Sequence, residues 1–341
     1  MTFESFYAVL EQKLTGIVPD IELKYKAEIA YEINRLKKEM NAVILGHNYM
    51  EPALYHSICD YTGDSLELSR IARDTNADII VFCGVRFMAE TAKILNPQKI
   101  VLVPSEQAGC SVAASITAAD VRELKRRFPG VPVVTYVNTY ADVKAESDIC
   151  CTSANAVEIV NALENDSVIF LPDEYLARNV ARETGKRIIV PNIVGEDDAK
   201  ANGIISWNGH CEVHEKFTVE DIQGVRRQFP DVVVLAHPEC SPEVVAASDY
   251  SGSTGAMIRY VEEMQARRFL LLTECTMGDN IAAVNKDKEM LRLCSVRCPH
   301  MNQITLEQTL LALQRTQYVI EVPEEIRTRA YQALERMVAI G

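Results

Sequence analysis

Short apolar runs alternate with amphipathic segments along the chain. Residues 42–46, 78–84 and 100–104 are almost continuous apolar runs of strand length, and the segments between them have the apolar spacing of helices. Nearly continuous apolar strands separated by helices are typical of parallel sheets covered on both faces. The first third of the chain therefore predicts a βαβαβ unit, preceded by an amphipathic helix at residues 21–40.

The same order of elements recurs twice. The second pass predicts a helix at 117–128, a strand at 131–137, a helix opening at 152–156, a strand at 167–171, a helix at 174–184 and a strand at 187–190. The third pass predicts a helix at 218–229, a strand at 232–236, a helix opening at 252–255 and a strand at 269–272. The predicted fold is α/β, with three similar domains, each built on a parallel sheet covered by helices on both faces. The expected domains are 1–113, 114–213 and 214–300, with C-terminal helices at 301–341 that pack back on the first domain.

A cysteine stands seven residues before a Thr-capped helix in each repeat. The three pairs are Cys110 and Thr117, Cys211 and Thr218, and Cys298 and Thr305. A repeated offset of this kind indicates one equivalent position in a repeated architecture. We therefore expect the three thiols to have a joint role.

Thiolates are the soft ligands that iron-sulfur clusters require. Three cysteines far apart in sequence do not fit a structural zinc site, which usually has close Cys pairs and four protein ligands. They could hold a 4Fe-4S cluster and leave one iron open to substrate as a Lewis acid. Three buried core thiols are the alternative. We predict buried apolar roles for Cys59, Cys83, Cys150, Cys151 and Cys275, and Cys240 matches no position of the repeat.

Polar side chains follow the first strand of each repeat. They are His47 and Tyr49, then Tyr136 and Asn138, then His237 and Glu239. The helix openings add hydroxyls at Ser65, Ser153, Ser253 and Thr254. Because ligands of open α/β sheets bind beyond the carboxyl ends of strands, these groups predict a binding site, to which helix N-termini could add anion-binding N–H groups. His214 follows Cys211 by three residues and its role is left open; His56, His210 and His300 are expected to be structural.

The charge of the chain excludes some partners. The 341 residues carry a net charge of -13, which argues against nucleic acid and anionic membranes. The N-terminal residues lack the basic and apolar regions of a leader, and no apolar run has the length of a membrane span, so we expect a cytoplasmic protein. Ten cysteines in such a protein point to metal or redox chemistry.

Several motifs together resemble the quinolinate synthase family. They read Leu-Gly-His-Asn-Tyr at 45–49, Gly-Asp-Ser at 63–65, Gly-Val-Arg-Phe-Met-Ala-Glu-Thr-Ala at 84–92, Ala-Gly-Cys-Ser at 108–111, Tyr-Val-Asn at 136–138, His-Pro-Glu-Cys at 237–240 and Gly-Ser-Thr-Gly at 252–255. The resemblance implies condensation of iminoaspartate with dihydroxyacetone phosphate, with loss of two waters and phosphate, to give quinolinate for NAD biosynthesis. It also implies an α/β fold of three pseudo-equivalent three-layer αβα domains whose parallel sheets surround a central site. At that site it implies a 4Fe-4S cluster with an open iron, and it implies a functional link to an aspartate-oxidising enzyme.

The resemblance assigns roles to individual residues. It implies that the cluster is held by Cys110, Cys211 and Cys298, and that Tyr49, Glu239 and His237 are catalytic. The substrate contacts that it implies are His47, Ser65, Tyr136, Val137, Asn138, Ser153, His237, Pro238, Glu239 and Thr254. Some family members carry a Cys-x-x-Cys-x-x-Cys run near the C-terminus, whereas this chain has three residues between Cys294 and Cys298, so a redox role for Cys294 is not implied.

Two other functions use the same thiols. An iron-sulfur hydro-lyase acting on a small di- or tricarboxylate would need the same open iron. A non-catalytic iron-sulfur sensor would need a basic or apolar recognition segment, which the sequence does not show. The spacing does not decide which of Tyr49 and Glu239 acts at each proton transfer, nor the oligomeric state.

Overall fold

Three parallel sheets, each flanked by helices, make up the fold. The computed structural model describes residues 1–186, 188–189, 204–293 and 296–341. All the strand pairings within its three sheets are parallel. Parallel neighbours need crossover connections, and helices supply them here. The predicted α/β class, with three units that each have αβα layers, is therefore confirmed.

The first sheet has the strand order β2-β1-β3-β4. Its elements are α1 (Phe3–Leu14), α2 (Asp20–Glu39), β1 (Ala42–His47), α3 (Pro52–Tyr55), β2 (Tyr61–Gly63), α4 (Ser65–Asp74), β3 (Ile79–Cys83), α5 (Arg86–Leu95) and β4 (Ile100–Leu102). The chain positions of β1, β3 and β4 agree with the predicted strands. Helix α1 was not predicted, because its apolar pattern is weak at the sequence level.

The second sheet has the order β6-β5-β7-β9-β8. Its elements are α6 (Ser111–Ala114), α7 (Ala118–Arg127), β5 (Val133–Tyr136), α8 (Ala141–Ala145), β6 (Ile149–Cys151), α9 (Ala156–Ala162), β7 (Val168–Leu171), α10 (Glu174–Thr184), β8 (Ile188–Ile189) and β9 (Ile204–Ser206). Of the strand predicted at 187–190, positions 187 and 190 lie outside the described residues.

The third sheet repeats the order of the first, as β11-β10-β12-β13. Its elements are α11 (Val219–Gln228), β10 (Val233–Ala236), α12 (Pro242–Ala247), β11 (Tyr250–Ser251), α13 (Thr254–Glu263), β12 (Arg268–Leu272), α14 (Thr276–Val284) and β13 (Glu289–Leu291). Helices α15 (Leu306–Arg315) and α16 (Glu324–Ala339) follow. Helix α16 begins directly after Pro323, which occupies its N-cap position.

An aspartate fixes the same strand pair in each sheet. Asp60 Oδ2 accepts the Ile44 N–H at 2.9 Å, and the carboxylates of Asp148 and Asp249 accept the Val133 and Val234 N–H groups at 2.8 Å. Each of the three carboxylates also pairs with a basic side chain of the helix that precedes the first strand of its sheet, which is Lys37, Lys125 or Arg226. The three sheets therefore share this contact as well as the order of their first three strands, to which the second sheet adds β9 and β8.

The Thr-capped helices form as the offset predicts. Thr117 and Thr218 each make a capping box with the Asp three residues later, and the Thr305 side chain accepts the Gln308 N–H. Helix α15 packs on α2 and β3, whereas α16 lies against α5 and also against α8 and β6 of the second sheet. Asn155 Nδ2 donates to the carbonyls of Met337 and Ile340, which ties the last helix to the second sheet. The domain limits given above stay predictions.

The strand order locates the ligand crevice of each sheet. With the order 2-1-3-4, successive crossovers leave the first strand in opposite directions, and the crevice opens between the carboxyl ends of the first and third strands. In the three sheets these ends belong to β1 and β3, β5 and β7, and β10 and β12. Loops from all three crevices converge on one cavity. Among the helices that the structure describes, none has the length and hydropathy needed to cross a bilayer.

Candidate active site

One cavity collects residues from all three sheets. It measures about 670 Å³, counting the space that opens to solvent. Of the predicted residues it is lined by His47, Tyr49, Ser65, Cys110, Tyr136, Asn138, Ser153, Cys211, His237, Glu239, Thr254 and Cys298. Val137 and Pro238 do not line it: the Val137 N–H donates to the Cys151 carbonyl, and the Pro238 carbonyl accepts from Asn179 Nδ2. Their side chains stand beside lining residues rather than at the cavity wall.

The three thiols occupy equivalent local positions. Each of Cys110, Cys211 and Cys298 precedes a short helical turn, and the N–H of the residue three positions later, Ala113, His214 or Met301, faces the sulfur. For Cys298 the N to Sγ distance is 3.5 Å. Free N–H groups at the start of a helical turn stabilise an anionic sulfur. The seven-residue offset therefore spans one such turn and ends at the Thr that caps the next helix.

The thiol set suits a cluster better than a single ion. All three are free of disulfides. Sulfurs around one zinc ion stand ~4 Å apart. Among the described residues, the sulfurs of these three cysteines do not together form a group whose ligand atoms all lie within 4.8 Å of one another. Burial raises the pKa of Cys110 to about 12 and that of Cys298 to about 11. Without a metal they are therefore protonated, and metal binding would release those protons.

Two histidines hold matching positions at strand ends. The Tyr49 N–H donates to His47 Nδ1 at 3.2 Å, and the Glu239 N–H donates to His237 Nδ1 at 3.3 Å. At His47 the backbone N–H leaves the proton of a neutral ring on Nε2. Nδ1 of His237 also lies 3.2 Å from Glu239 Oε2, so there Nδ1 can carry the proton and donate to that carboxylate. Burial lowers the pKa of His47 to about 4, so its ring is neutral near pH 7. It therefore offers the cavity a hydrogen-bond donor without a fixed charge.

Glu239 is the centre of the polar network. Its Oε2 lies 2.9 Å from His214 Nδ1 and 3.2 Å from His237 Nδ1, and its Oε1 accepts from Asn138 Nδ2 at 3.3 Å. Burial acts to raise its pKa, but His214 and His237 outweigh burial and lower the pKa below its ordinary value. A buried carboxylate that stays ionised next to a cavity can act as a general base.

Tyr49 is linked to Glu239 by a chain of contacts through Thr273 and His214. Its hydroxyl contacts Thr273 Oγ1 and lies 3.5 Å from His214 Nε2, and Thr273 Oγ1 lies 3.0 Å from that same nitrogen. Burial raises the pKa of Tyr49 well above its ordinary value, so the phenol keeps its proton. The chain Tyr49, Thr273, His214, Glu239 thus joins a proton donor to a base through one imidazole.

The helix openings differ from expectation in one respect. Asp64 caps α4, with Oδ1 accepting the N–H groups of Leu66 and Glu67 at 3.1 Å, so these two N–H groups are not available to an anion. Because Asp64 makes the cap, the Ser65 hydroxyl is left for the cavity. Ser253 caps α13 and its hydroxyl donates to Asp64 Oδ2 at 2.8 Å. Its neighbour Thr254 lines the cavity and accepts from Asn48 Nδ2 at 3.0 Å.

Some lining residues were not predicted as site residues. His300, which we expected to be structural, lines the cavity with Nε2 3.1 Å from Glu212 Oε1. The apolar wall is formed by Val85, Phe87 and Met88, all from the motif at 84–92. Thr273 does not line the cavity but contacts Tyr49 and His214, which do; it follows β12 directly, so its position at a strand end was the available signal. Cys240 instead packs in the third sheet's core, where its Sγ donates to the Leu272 carbonyl, and Cys294 lies outside the described residues.

The pKa of His47 predicts a pH dependence of stability. Because the ring titrates at about 6.5 when unfolded and at about 4 when folded, the unfolded state binds more protons in that window, and the free energy of unfolding falls as the pH drops through it. Between pH 6.5 and pH 5, protonation of His47 in the unfolded state lowers the free energy of unfolding by about 2 kcal/mol. Urea unfolding of the full chain and of His47→Gln, at pH 7 and pH 5, measures it. An equal pH dependence in both proteins would remove His47 as the cause.

The fold and the site define an α/β enzyme that works in a cavity between three equivalent sheets, with thiols, imidazoles and a carboxylate as its reactive groups. Residues 31–339 match the family described as quinolinate synthetase A protein. The chain belongs to this family, whose members are enzymes of NAD biosynthesis that use an iron-sulfur cluster.

Relatives match over almost the full chain. Quinolinate synthase 2 of Mesorhizobium japonicum is 51% identical over 339 residues, which is 99% of both chains. The quinolinate synthase of Xylella fastidiosa strain 9a5c is 52% identical over 308 residues, covering 90% of this chain and 86% of the relative. That of Caulobacter vibrioides strain NA1000 is 49% identical over 339 residues, covering 98% and 88%.

Proposed function

We propose that this chain condenses iminoaspartate with dihydroxyacetone phosphate to quinolinate, with loss of two waters and phosphate. The observation that supports this most is the convergence of Cys110, Cys211 and Cys298 on one cavity with Glu239 and Tyr49. We infer that the three thiols hold a 4Fe-4S cluster. When bound, its open iron supplies Lewis-acid polarisation of a substrate oxygen or nitrogen. Iminoaspartate would come from an aspartate-oxidising enzyme.

The cavity binds anions without fixed cationic side chains. Among the described residues that line it there is no Lys or Arg, although both substrates are anionic. The donors present are the imidazoles of His47 and His237, the hydroxyls of Ser65, Tyr136, Ser153 and Thr254, and the amide of Asn138. Donors fixed by burial stabilise charge without reorganisation when the reaction takes place. These side chains would orient the carboxylates and the phosphate.

The proton transfers are divided between two residues. Glu239, ionised and 3% exposed, would remove C–H protons during carbon–carbon bond formation and dehydration. Tyr49, which keeps its proton, would donate to the departing oxygen. His214 Nδ1 faces Glu239 and its Nε2 faces Thr273 and Tyr49, so His214 would return the proton between the two. The apolar wall of Val85, Phe87 and Met88 limits access of water.

A stoichiometric assay tests the proposed reaction. Anaerobically purified protein supplied with both substrates should form one quinolinate and release one phosphate per turnover, and should release no phosphate from dihydroxyacetone phosphate alone. A protein of the same preparation carrying Cys110→Ala serves as the control and should form no quinolinate. Consumption of a di- or tricarboxylate with no phosphate release would favour the hydro-lyase alternative instead.

A further inference from the structure

A second donor set lies beside the three thiols. The ligand atoms of Cys211, His214 and Glu239 all lie within 4.8 Å of one another, and within the described residues this is the one group of three or more His, Cys, Asp or Glu side chains so close together. Cys211 and His214 are brought together by one helical turn, in which the Glu215 N–H donates to the Cys211 carbonyl. Glu239 comes from the loop after β10, so two parts of the fold fix the group.

The three donors are those that zinc prefers. One thiolate, one imidazole and one carboxylate bind Zn²⁺ at ~2.0–2.3 Å, and three protein ligands leave a fourth position for water. Such bond lengths require ligand atoms ~3–4 Å apart, and His214 Nδ1 already lies 2.9 Å from Glu239 Oε2. Shifts of less than ~1 Å per side chain would close the site, which is a small adjustment for buried side chains at loop ends.

Charge also favours a divalent cation here. A metal ion takes these side chains as a carboxylate, a neutral imidazole and a thiolate, and the Cys211 thiol would lose its proton on binding. The two negative charges of the ligands would then balance the charge of Zn²⁺. His214 is 1% exposed and Glu239 is 3% exposed, so the ion would be shielded from bulk water.

We propose that the full-length chain, when it lacks its iron-sulfur cluster, binds one Zn²⁺ through Cys211, His214 and Glu239. Cys211 belongs to both donor sets, so zinc and the cluster exclude each other. Zinc bound in this way also takes up Glu239, the base of the proposed reaction. The zinc site goes beyond the proposed function and depends on it only in the shared use of Cys211.

Metal titration of the cluster-free, reduced chain tests the proposal. Zn²⁺ is added in competition with a chromophoric chelator, and Co²⁺ is added separately because its absorption bands report tetrahedral geometry and sulfur ligation. We expect one Zn²⁺ per chain and one thiolate bonded to Co²⁺. His214→Gln and Glu239→Gln should weaken zinc binding by about 100-fold or more, since ligand loss exceeds the ~10–100-fold effect of outer-shell changes. Cys110→Ala and Cys298→Ala should change it by less than about threefold.

The opposite pattern would overturn the proposal. If Cys110 and Cys298 are needed and His214 and Glu239 are not, zinc binds to the three thiols instead. Absence of zinc binding to a folded parent chain would also overturn it. Thermal unfolding provides the check on folding: zinc should raise the Tm of the parent chain and of Cys298→Ala, and should leave that of His214→Gln unchanged. Because cluster content is measured separately, a failed zinc site would not count against the proposed reaction.

Discussion

Replacing Glu239 by Gln should lower quinolinate turnover by about 10²–10⁴-fold, the range that a positioned general acid or base contributes. The change keeps the size and planarity of the side chain but removes the negative charge that His214 and His237 stabilise. The thiols are untouched, so iron and sulfide content should equal that of the parent protein. The measurement is steady-state kcat on anaerobic protein, normalised to iron content.

The control for Glu239 is another buried carboxyl that does not line the cavity. Glu174→Gln alters a side chain that accepts from Arg178 Nε at 2.7 Å and does not line the site. It should retain kcat within about tenfold. Unchanged turnover in Glu239→Gln would remove Glu239 from the mechanism, whatever the result for Glu174.

Replacing any one of Cys110, Cys211 or Cys298 by Ala should abolish quinolinate formation. Each thiol comes from a different segment of the chain and each faces the same cavity, so no neighbouring described cysteine can take its place. Cys240→Ala and Cys83→Ala are matched controls, because both thiols are buried in the core and neither lines the cavity. These controls should keep turnover, with a loss of stability of at most a few kcal/mol typical of a small buried side chain. Turnover in any one of the three ligand variants would contradict the proposed cluster.

Much of the fold could be predicted from the repeat in the sequence. The apolar runs predicted β1, β3 and β4 because strands buried on both faces leave a nearly continuous apolar signal. The offset between Cys110 and Thr117 predicted equivalent thiols because a helical turn and a cap occupy a fixed number of residues. Helix α14 and strand β13 were not predicted, since this part of the third repeat lacks a clear apolar period.

The site was predictable where a residue ends a strand. His47 and Tyr136 are the last residues of β1 and β5, and His237 directly follows β10, where the ligand crevice of a parallel sheet opens. Thr273 directly follows β12 and so stands at such a position, although we did not predict it. The position of His300 in the cavity wall could not be predicted in this way, because it depends on how the segments around the three sheets face one another, and a pattern that repeats within each sheet carries no information on that. The contact between Tyr49 and His214 could not be predicted for the same reason, because it joins the first sheet to the segment that precedes the third.

The central claim is that three thiols from three equivalent sheets hold one cluster, and metal analysis tests it most directly. Iron and acid-labile sulfide are measured in anaerobically purified Cys110→Ala, Cys211→Ala and Cys298→Ala, with Cys240→Ala as the control. We predict about four iron and four sulfide per chain in the parent and in Cys240→Ala, as a 4Fe-4S cluster requires, and loss of the intact cluster in each of the other three. A full cluster in any one of those three variants would contradict the account.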